Sequence, residues 1–401
     1  MEAKNLVFFT TACIVFASFA VHYWLPFRYK EFFWIAISLL ATTFFLPPGL
    51  IVELLGFGAL FYMVLSSRMA YGARIAIVAT VFVLAMASCA DTSLARHLLG
   101  RFAIPPDFWP VFGSIFMFRL IIYAHDVRYM KERPSLREYL AYFFILPNYY
   151  FQLFPVIDFK TMRLGYYRRD IHDIAQQGIQ WMGRGTLQLI LYTVVNSEWN
   201  LGMLNRPKSF ASLLWVMVLT FLLYLRVSGQ FHIVVGMLHL FGYDLPETNH
   251  RYLLARSLTD FWRRINIYWK DFMVKIVYFP TYFKFRKRNE MGAKLLATGA
   301  VFVVTWFLHS YQSFWLQGKF ELSWPDTIFW AVLGGIVILE TWRGEDGKTN
   351  ISITGWRGWL RHSISVAGTA CFIITIWSLW NSPTIGAWLD LIRWWRPTAL
   401  N

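Results

Sequence analysis

The sequence predicts an all-α, polytopic membrane protein, and three observations predict it. The 401 residues are 57% hydrophobic and only 15% charged, whereas a soluble domain carries about 25% charged residues. Aromatic residues make up 19%, with 20 Trp and 37 Phe, more than a soluble core of this length uses. Apolar runs of the roughly 20 residues needed to cross a bilayer recur along the chain. The composition excludes a disordered chain, a coiled coil, a collagen-like repeat and a small disulfide scaffold.

The apolar runs fall in order at Asn5–Leu25, Phe32–Leu46, Leu50–Ser66, Ala73–Ala90, Phe108–Ala124 and Glu138–Ile157. Further runs are Leu187–Val195, Ser209–Val227, Ala293–Leu316, Asp326–Trp342 and Ser365–Trp380. They make about eleven transmembrane helices on the hydropathy criterion. Phe231–Tyr243, broken by His232 and His239, reads as a re-entrant or interfacial helix. So does Ile267–Phe283, broken by Lys270, Asp271 and Lys275. The first run lacks a basic start and a small-residue cleavage site before Tyr23, so it is expected to be a retained helix rather than a signal peptide. No repeat or long linker divides the chain, and residues 1–401 are expected to form one membrane-embedded domain. Arg343–Arg361, the most polar stretch, reads as one loop.

Charge sets an expected topology. Lys and Arg number 38 against 23 Asp and Glu, a net charge of +15. The cationic loops follow the positive-inside rule and face anionic lipid, and none carries a nucleic-acid-binding motif. Arg28 and Lys30, Arg68 and Arg74, and Arg128, Lys131, Arg133 and Arg137 place the odd-numbered loops in the cytoplasm and the N-terminus outside. The loop after the fourth helix holds only Arg96 and Arg101. The run Lys284–Arg288 is also expected on the cytoplasmic side. Cys13, Cys89 and Cys371 lie far apart in apolar runs, without metal-ligand spacing, and read as small core residues.

The motifs of soluble enzymes are missing: no P-loop, G-x-G-x-x-G, H-E-x-x-H, G-x-S-x-G or C-x-x-C is present. The candidates are therefore polar residues at membrane depth, which are expensive there. His309 lies deep in the apolar run Val301–Leu316, followed by Ser310, Tyr311 and Gln312. Most such histidines simply pack and bond to a neighbouring helix, but an imidazole is also the best general base near neutral pH. Asp260–Phe272 (DFWRRINIYWKDF) interleaves Asp, Arg, Lys and Asn with aromatic rings. As one helix it would put Trp262, Asn266 and Trp269 on a common face, away from Arg263. An interfacial belt with snorkelling arginines accounts for the Trp and Arg there, but poorly for Asn266. The third segment, Tyr224–Pro246, is expected to break at Ser228-Gly229. Its His232 and His239, seven residues apart, lack the further ligands a metal would want. His125-Asp126 and His172-Asp173 sit in charged loops.

Ser228–Phe272 as a whole resembles the signature of the membrane-bound O-acyltransferase (MBOAT) family. It is nearest the bacterial branch, whose members serve alginate O-acetylation and teichoic-acid D-alanylation. Leu240 and Gly242, Pro246-Glu247, Ser257 and Asp260-Phe261-Trp262-Arg263-Arg264 match. So does Pro155–Phe159, a Pro-x-x-Asp-Phe end, and His309 lies about forty residues after the Arg-Arg pair, where the family has its catalytic histidine. The resemblance covers roughly 113–339. It departs at Ile265-Asn266, where the bacterial block continues Trp-His and many eukaryotic members carry Asn. It departs also at Phe307–Ser310, in place of Trp-His-Gly, and at His232, in place of Asp.

The resemblance implies an MBOAT-like fold and transfer of an acyl group from a thioester to a hydroxyl of an envelope polysaccharide, lipid or related acceptor. The donor would be acyl-CoA or an acyl carrier protein on the cytoplasmic side, with no permanently bound cofactor and no metal. His309 would be the general base and Asn266 an oxyanion donor or a partner fixing its tautomer. Trp262, Arg263, Arg264, Trp306, Ser310 and Gln312 would bind substrate. The expected site of action is the bacterial inner membrane, with the bilayer, the donor carrier and an envelope-modification protein as partners. Small-molecule or amine acceptors, and a transporter or non-catalytic scaffold, are the alternatives. Transport would favour paired inverted halves with interrupted helices, and no such symmetry is visible.

Overall fold

A computed structural model describes residues 2–44, 46–90, 104–146, 148, 154–344, 355–393 and 395. The loop expected at Arg343–Arg361 lies partly outside these residues, and Arg96 and Arg101 lie outside them. Every named element is a helix, and the only extended pairing among the described residues is an isolated bridge, Tyr166 to Tyr243. Among the described residues, six helices are long and apolar enough to cross a membrane. The chain is thus an all-α protein of membrane character.

Several expected runs take a different form. Phe32–Leu46 becomes a 15-residue helix, α2 (Phe27–Ala41), closed by a 3₁₀ turn at Thr42–Phe44. Glu138–Ile157 is not one helix. Its helix, Leu136–Phe143, starts at a capping box between Ser135 and Glu138 and stops at Phe144, ahead of a Leu-Pro step that disfavours helix. Leu187–Val195 is the middle of a 35-residue helix, Ile171–Asn205. Phe231–Tyr243 is not a separate re-entrant piece: Phe210–Leu240 is helical apart from a turn at Leu223-Tyr224. The expected break at Ser228-Gly229 is absent. Gly229 instead lets the backbone of Gly185 approach, 2.9 Å from where a Cβ would stand.

The described residues form two compact units. The first comprises 1–183, 231–246 and 311–320, the second 184–230, 247–310 and 321–401. The first unit has an aromatic core. Phe61, Phe112, Phe116 and Trp315 are all fully buried. A Cβ on Gly113 would lie 2.6 Å from Trp315 Cβ. Arg119, only 2% exposed, stacks between Tyr142 and Phe154 at 4.6 and 4.7 Å from the ring centroids, so its charge meets π faces. The matching Leu240-x-Gly242 has a structural cause: Gly242 takes φ +89°, accepts a hydrogen bond from Tyr167 N–H, and any Cβ there would strike the Tyr167 ring.

Just beyond Gly242, Asp244 is clamped by Arg169. The guanidinium donates from Nε to Oδ2 (2.8 Å) and from Nη2 to Oδ1 (2.6 Å). This bidentate bond holds the Asp244 carboxyl below its ordinary value of 3.8. A depressed folded pKa means that the pair stabilises the fold at and above pH 4, and that this is lost as pH falls through the lower folded value. Asp244→Asn is therefore expected to lower the melting temperature at pH 6, at a cost of about 1 kcal/mol. The gap to wild type should narrow below pH 4. Equal melting curves at pH 6 would show that the pair contributes nothing.

The second unit is built on α12 (Leu258–Arg264), α13 (Ile267–Met273), α15 (Glu290–Gln317), α16 (Trp324–Trp342) and α17 (Gly355–Trp380). Phe261, Ile265, Phe302, Phe329, Trp330, Leu333, Ile373 and Trp377 share its core. Gly334 on α16 leaves only 2.8 Å between a notional Cβ and Phe302 Cγ, which lets α16 close onto α15.

Candidate active site

The expected single helix over Asp260–Phe272 is two helices. The break falls at Asn266, which adopts a left-handed conformation (φ 41°, ψ 62°) and caps α13, its Oδ1 accepting from Trp269 N–H at 3.3 Å. A neighbouring strip of backbone fixes the break. Ile267 N–H donates to Thr248 O (2.9 Å), and His250 N–H to Arg264 O (2.8 Å). Asn266 N–H donates to Asn249 Oδ1 (2.8 Å). Asn249 is 4% exposed, and its Oδ1 also accepts from Tyr224 O–H while its Nδ2 donates to Ser228 Oγ. This buried hub makes the kink a specified feature. With its oxygen used as the cap, the Asn266 Nδ2 amino group has no partner among the described residues.

The start of α12 is fixed just as tightly. Glu340 of α16 accepts from Leu258 N–H (3.2 Å) and Thr259 N–H (2.8 Å), a carboxylate on a helix N-terminus. Ser257 caps the same turn by accepting from Asp260 N–H. Asp260 then holds Arg264, Nε to Oδ1 at 2.7 Å. Arg264 is thus tied into the fold. Trp262 and Arg263 instead line a cleft of about 460 Å³ together with Lys270, Tyr278, Phe302 and Val337. That volume lies in the range of small-molecule sites.

His309 sits on α15 inside a ring of three indoles. Its imidazole centroid is 4.9 Å from Trp330, 5.7 Å from Trp380 and 5.8 Å from Trp269. The histidine is half-buried, and neither ring nitrogen makes a hydrogen bond among the described residues. Trp269 joins the two candidates: its backbone caps with Asn266, its indole Nε1 donates to Thr305 Oγ1 at 3.4 Å, and its ring meets His309. The indoles are themselves anchored. Asp326 Oδ1 accepts from Trp330 Nε1 (3.1 Å) and from Trp380 Nε1 (2.7 Å), and Trp380 stacks on Phe329 at 4.6 Å and 12°. Asp326 is 8% exposed, and the indole of Trp306 also interacts with its carboxylate.

Of the remaining expected residues, Ser310 is structural in its bonding, donating from Oγ to Glu321 O. Gln312 falls in the first unit. His239, likewise in the first unit, commits both ring nitrogens to backbone: Nδ1 to Val235 O at 2.8 Å, and Nε2 accepting from Leu245 N–H at 3.3 Å. Sequence reasoning missed Asp326, Glu340 and Asn249. For Asn249, one signal was available: an Asn beside Thr in a polar stretch between two apolar runs.

An uncommitted imidazole among indole rings can accept a proton from a bound hydroxyl. Trp262, in ring contact with Phe302 (5.0 Å) and Trp330 (6.0 Å), leads from the cleft toward that imidazole. No protein-family model matches the chain, and no curated protein matches it at a significant level.

Proposed function

We propose that this chain is a membrane-bound O-acyltransferase, moving an acyl group from a cytoplasmic thioester to a hydroxyl acceptor with His309 as general base. One observation carries the reading: a half-buried histidine whose ring nitrogens make no hydrogen bond among the described residues, caged by tryptophans and linked through Trp262 to a ligand-sized cleft that holds Arg263 and the Lys270–Asp271 pair. His309 takes the proton as the acceptor oxygen forms its bond to the thioester carbonyl carbon. The carbon–sulfur bond then breaks, and the imidazolium returns the proton to the thiolate. The Asn266 amino group, without a hydrogen-bond partner among the described residues, would donate to the oxyanion, a contribution worth about 3–4 kcal/mol in such sites. Trp262, Trp306 and the cage keep water from the thioester.

Arg263 at the cleft, where Lys270 is already paired with Asp271 (2.8 Å), and the exposed run Lys284–Arg288 suit the phosphates of CoA or an acidic carrier protein. The wider assignment goes with this reading: an MBOAT-like bundle of about eleven spans in a bacterial inner membrane, N-terminus outside, modifying an envelope polysaccharide or lipid.

Purified protein in detergent should release free thiol from an acyl thioester in the presence of acceptor. Asn266→Ala is expected to lower that turnover by about 10²-fold, less than loss of the histidine. Alanine also forfeits the cap and strains the left-handed backbone, so Asn266→Gly, which relieves the strain, is the necessary control. Full turnover in the glycine variant would remove the amide from the mechanism. Comparing ester-linked acyl groups on envelope polysaccharides and lipids of cells with wild-type protein and His309→Ala would identify chain and acceptor together.

A further inference from the structure

The first unit contains a second polar cavity, of about 180 Å³, between the start of α2, the helix Leu136–Phe143 and the helix Phe159–Gly165. Three arginines line it. Arg137 Nε lies 2.6 Å from Glu31 and Arg163 Nε 2.6 Å from Glu138, so each carboxylate is paired with one arginine. The terminal nitrogens of these two arginines have no other hydrogen-bond partner among the described residues. Arg28 has no carboxylate partner among them and lies against Tyr29 at 4.5 Å, leaving the lining one positive charge in excess. Tyr243 also lines the cavity. Its side chain is 2% exposed, and its hydroxyl is buried without a hydrogen-bond partner, as is that of Tyr166 beside it.

We infer that this cavity is a binding site for a phosphate-bearing anion. Guanidinium groups offer planar N–H forks suited to phosphate oxygens, and these arginines make no hydrogen bond to another residue among the described ones. The orphaned phenols supply two more donors to the same anion. A cation would meet the surplus Arg28, and an apolar group would leave the phenols unsatisfied. The volume lies below the range for drug-sized ligands, which limits the occupant to a small headgroup. Arg28 and Arg137 lie in segments whose charge places them at the cytoplasmic face, where anionic headgroups collect. The site does not depend on the acyltransferase reading, since it shares no residue with it.

The test uses full-length protein in detergent, stripped of lipid. In one arm, inorganic phosphate replaces chloride at constant ionic strength and the melting temperature is followed. In the other, phosphatidylglycerol is titrated and bound lipid is counted by native mass spectrometry. Tyr243→Phe removes only a hydroxyl that has no hydrogen-bond partner among the described residues, so this variant is expected to fold as wild type does. It should weaken anion binding roughly tenfold, and Arg28→Gln by a similar factor. A response to phosphate identifies a soluble ligand, and a response to phosphatidylglycerol alone identifies a lipid headgroup. No response in either arm, or equal responses in wild type and Tyr243→Phe, overturns the assignment.

Discussion

His309→Ala is expected to abolish thioester-dependent acyl transfer, with turnover down by 10²–10⁴-fold, the usual contribution of a positioned base. The substitution should be benign for the fold. Alanine is the best helix former, the imidazole makes no hydrogen bond among the described residues, and the position is half-buried. The assay is release of free thiol by purified protein, with melting temperature and expression measured alongside. A folded variant with wild-type turnover would remove the histidine from the chemistry and with it the proposed function. A His309→Gln variant keeps the size and hydrogen-bonding capacity but cannot take the proton. It should be as inactive as alanine, which separates proton transfer from simple packing against Trp330.

The second large effect is expected at Asp326. One carboxylate oxygen holds the indoles of Trp330 and Trp380, and these two rings form most of the wall around His309. Asp326→Ala leaves one buried and one part-buried indole N–H without this acceptor, at a cost of about 1–3 kcal/mol each at most. The freed rings no longer fix the imidazole, and a displacement of about 1 Å in a reacting group costs on the order of 10²-fold in rate. The loss should fall on kcat, with KM for the thioester little changed, because Asp326 does not line the cleft. Asp326→Asn retains an oxygen for both indoles and should restore most of the rate. If Asn proves as inactive as Ala, the negative charge is what matters, and the positioning role is wrong.

These two residues also show what could be read from the sequence. His309 stood out because an ionisable residue in a long apolar run breaks the pattern of its own segment. The all-α membrane character was legible for the same reason. Asp326 breaks no such pattern. It sits three residues after Ser323 in the first turn of α16, where an acidic residue already serves as a helix start. Its second partner, Trp380, is 54 residues away. The tryptophan cage was hidden similarly, since its members come from three separate helices in a chain with 20 Trp. The kink at Asn266 was missed because helical periodicity runs straight through it, and the bonds that make it belong to Thr248, Asn249 and His250. Arg264 drew attention as a charge in an aromatic segment, yet it is consumed by Asp260 one turn away.

The left-handed backbone at position 266 bears on the history of the site. Glycine, asparagine, aspartate and histidine are the residues that occupy such a conformation with least strain. Of these only asparagine and histidine carry a side-chain N–H at neutral pH. The codons for the two differ in a single base. A lineage can therefore exchange one for the other here in one mutation without refolding the turn, whereas lysine, arginine or glutamine, though equally able to donate, would have to be accommodated by rebuilding it.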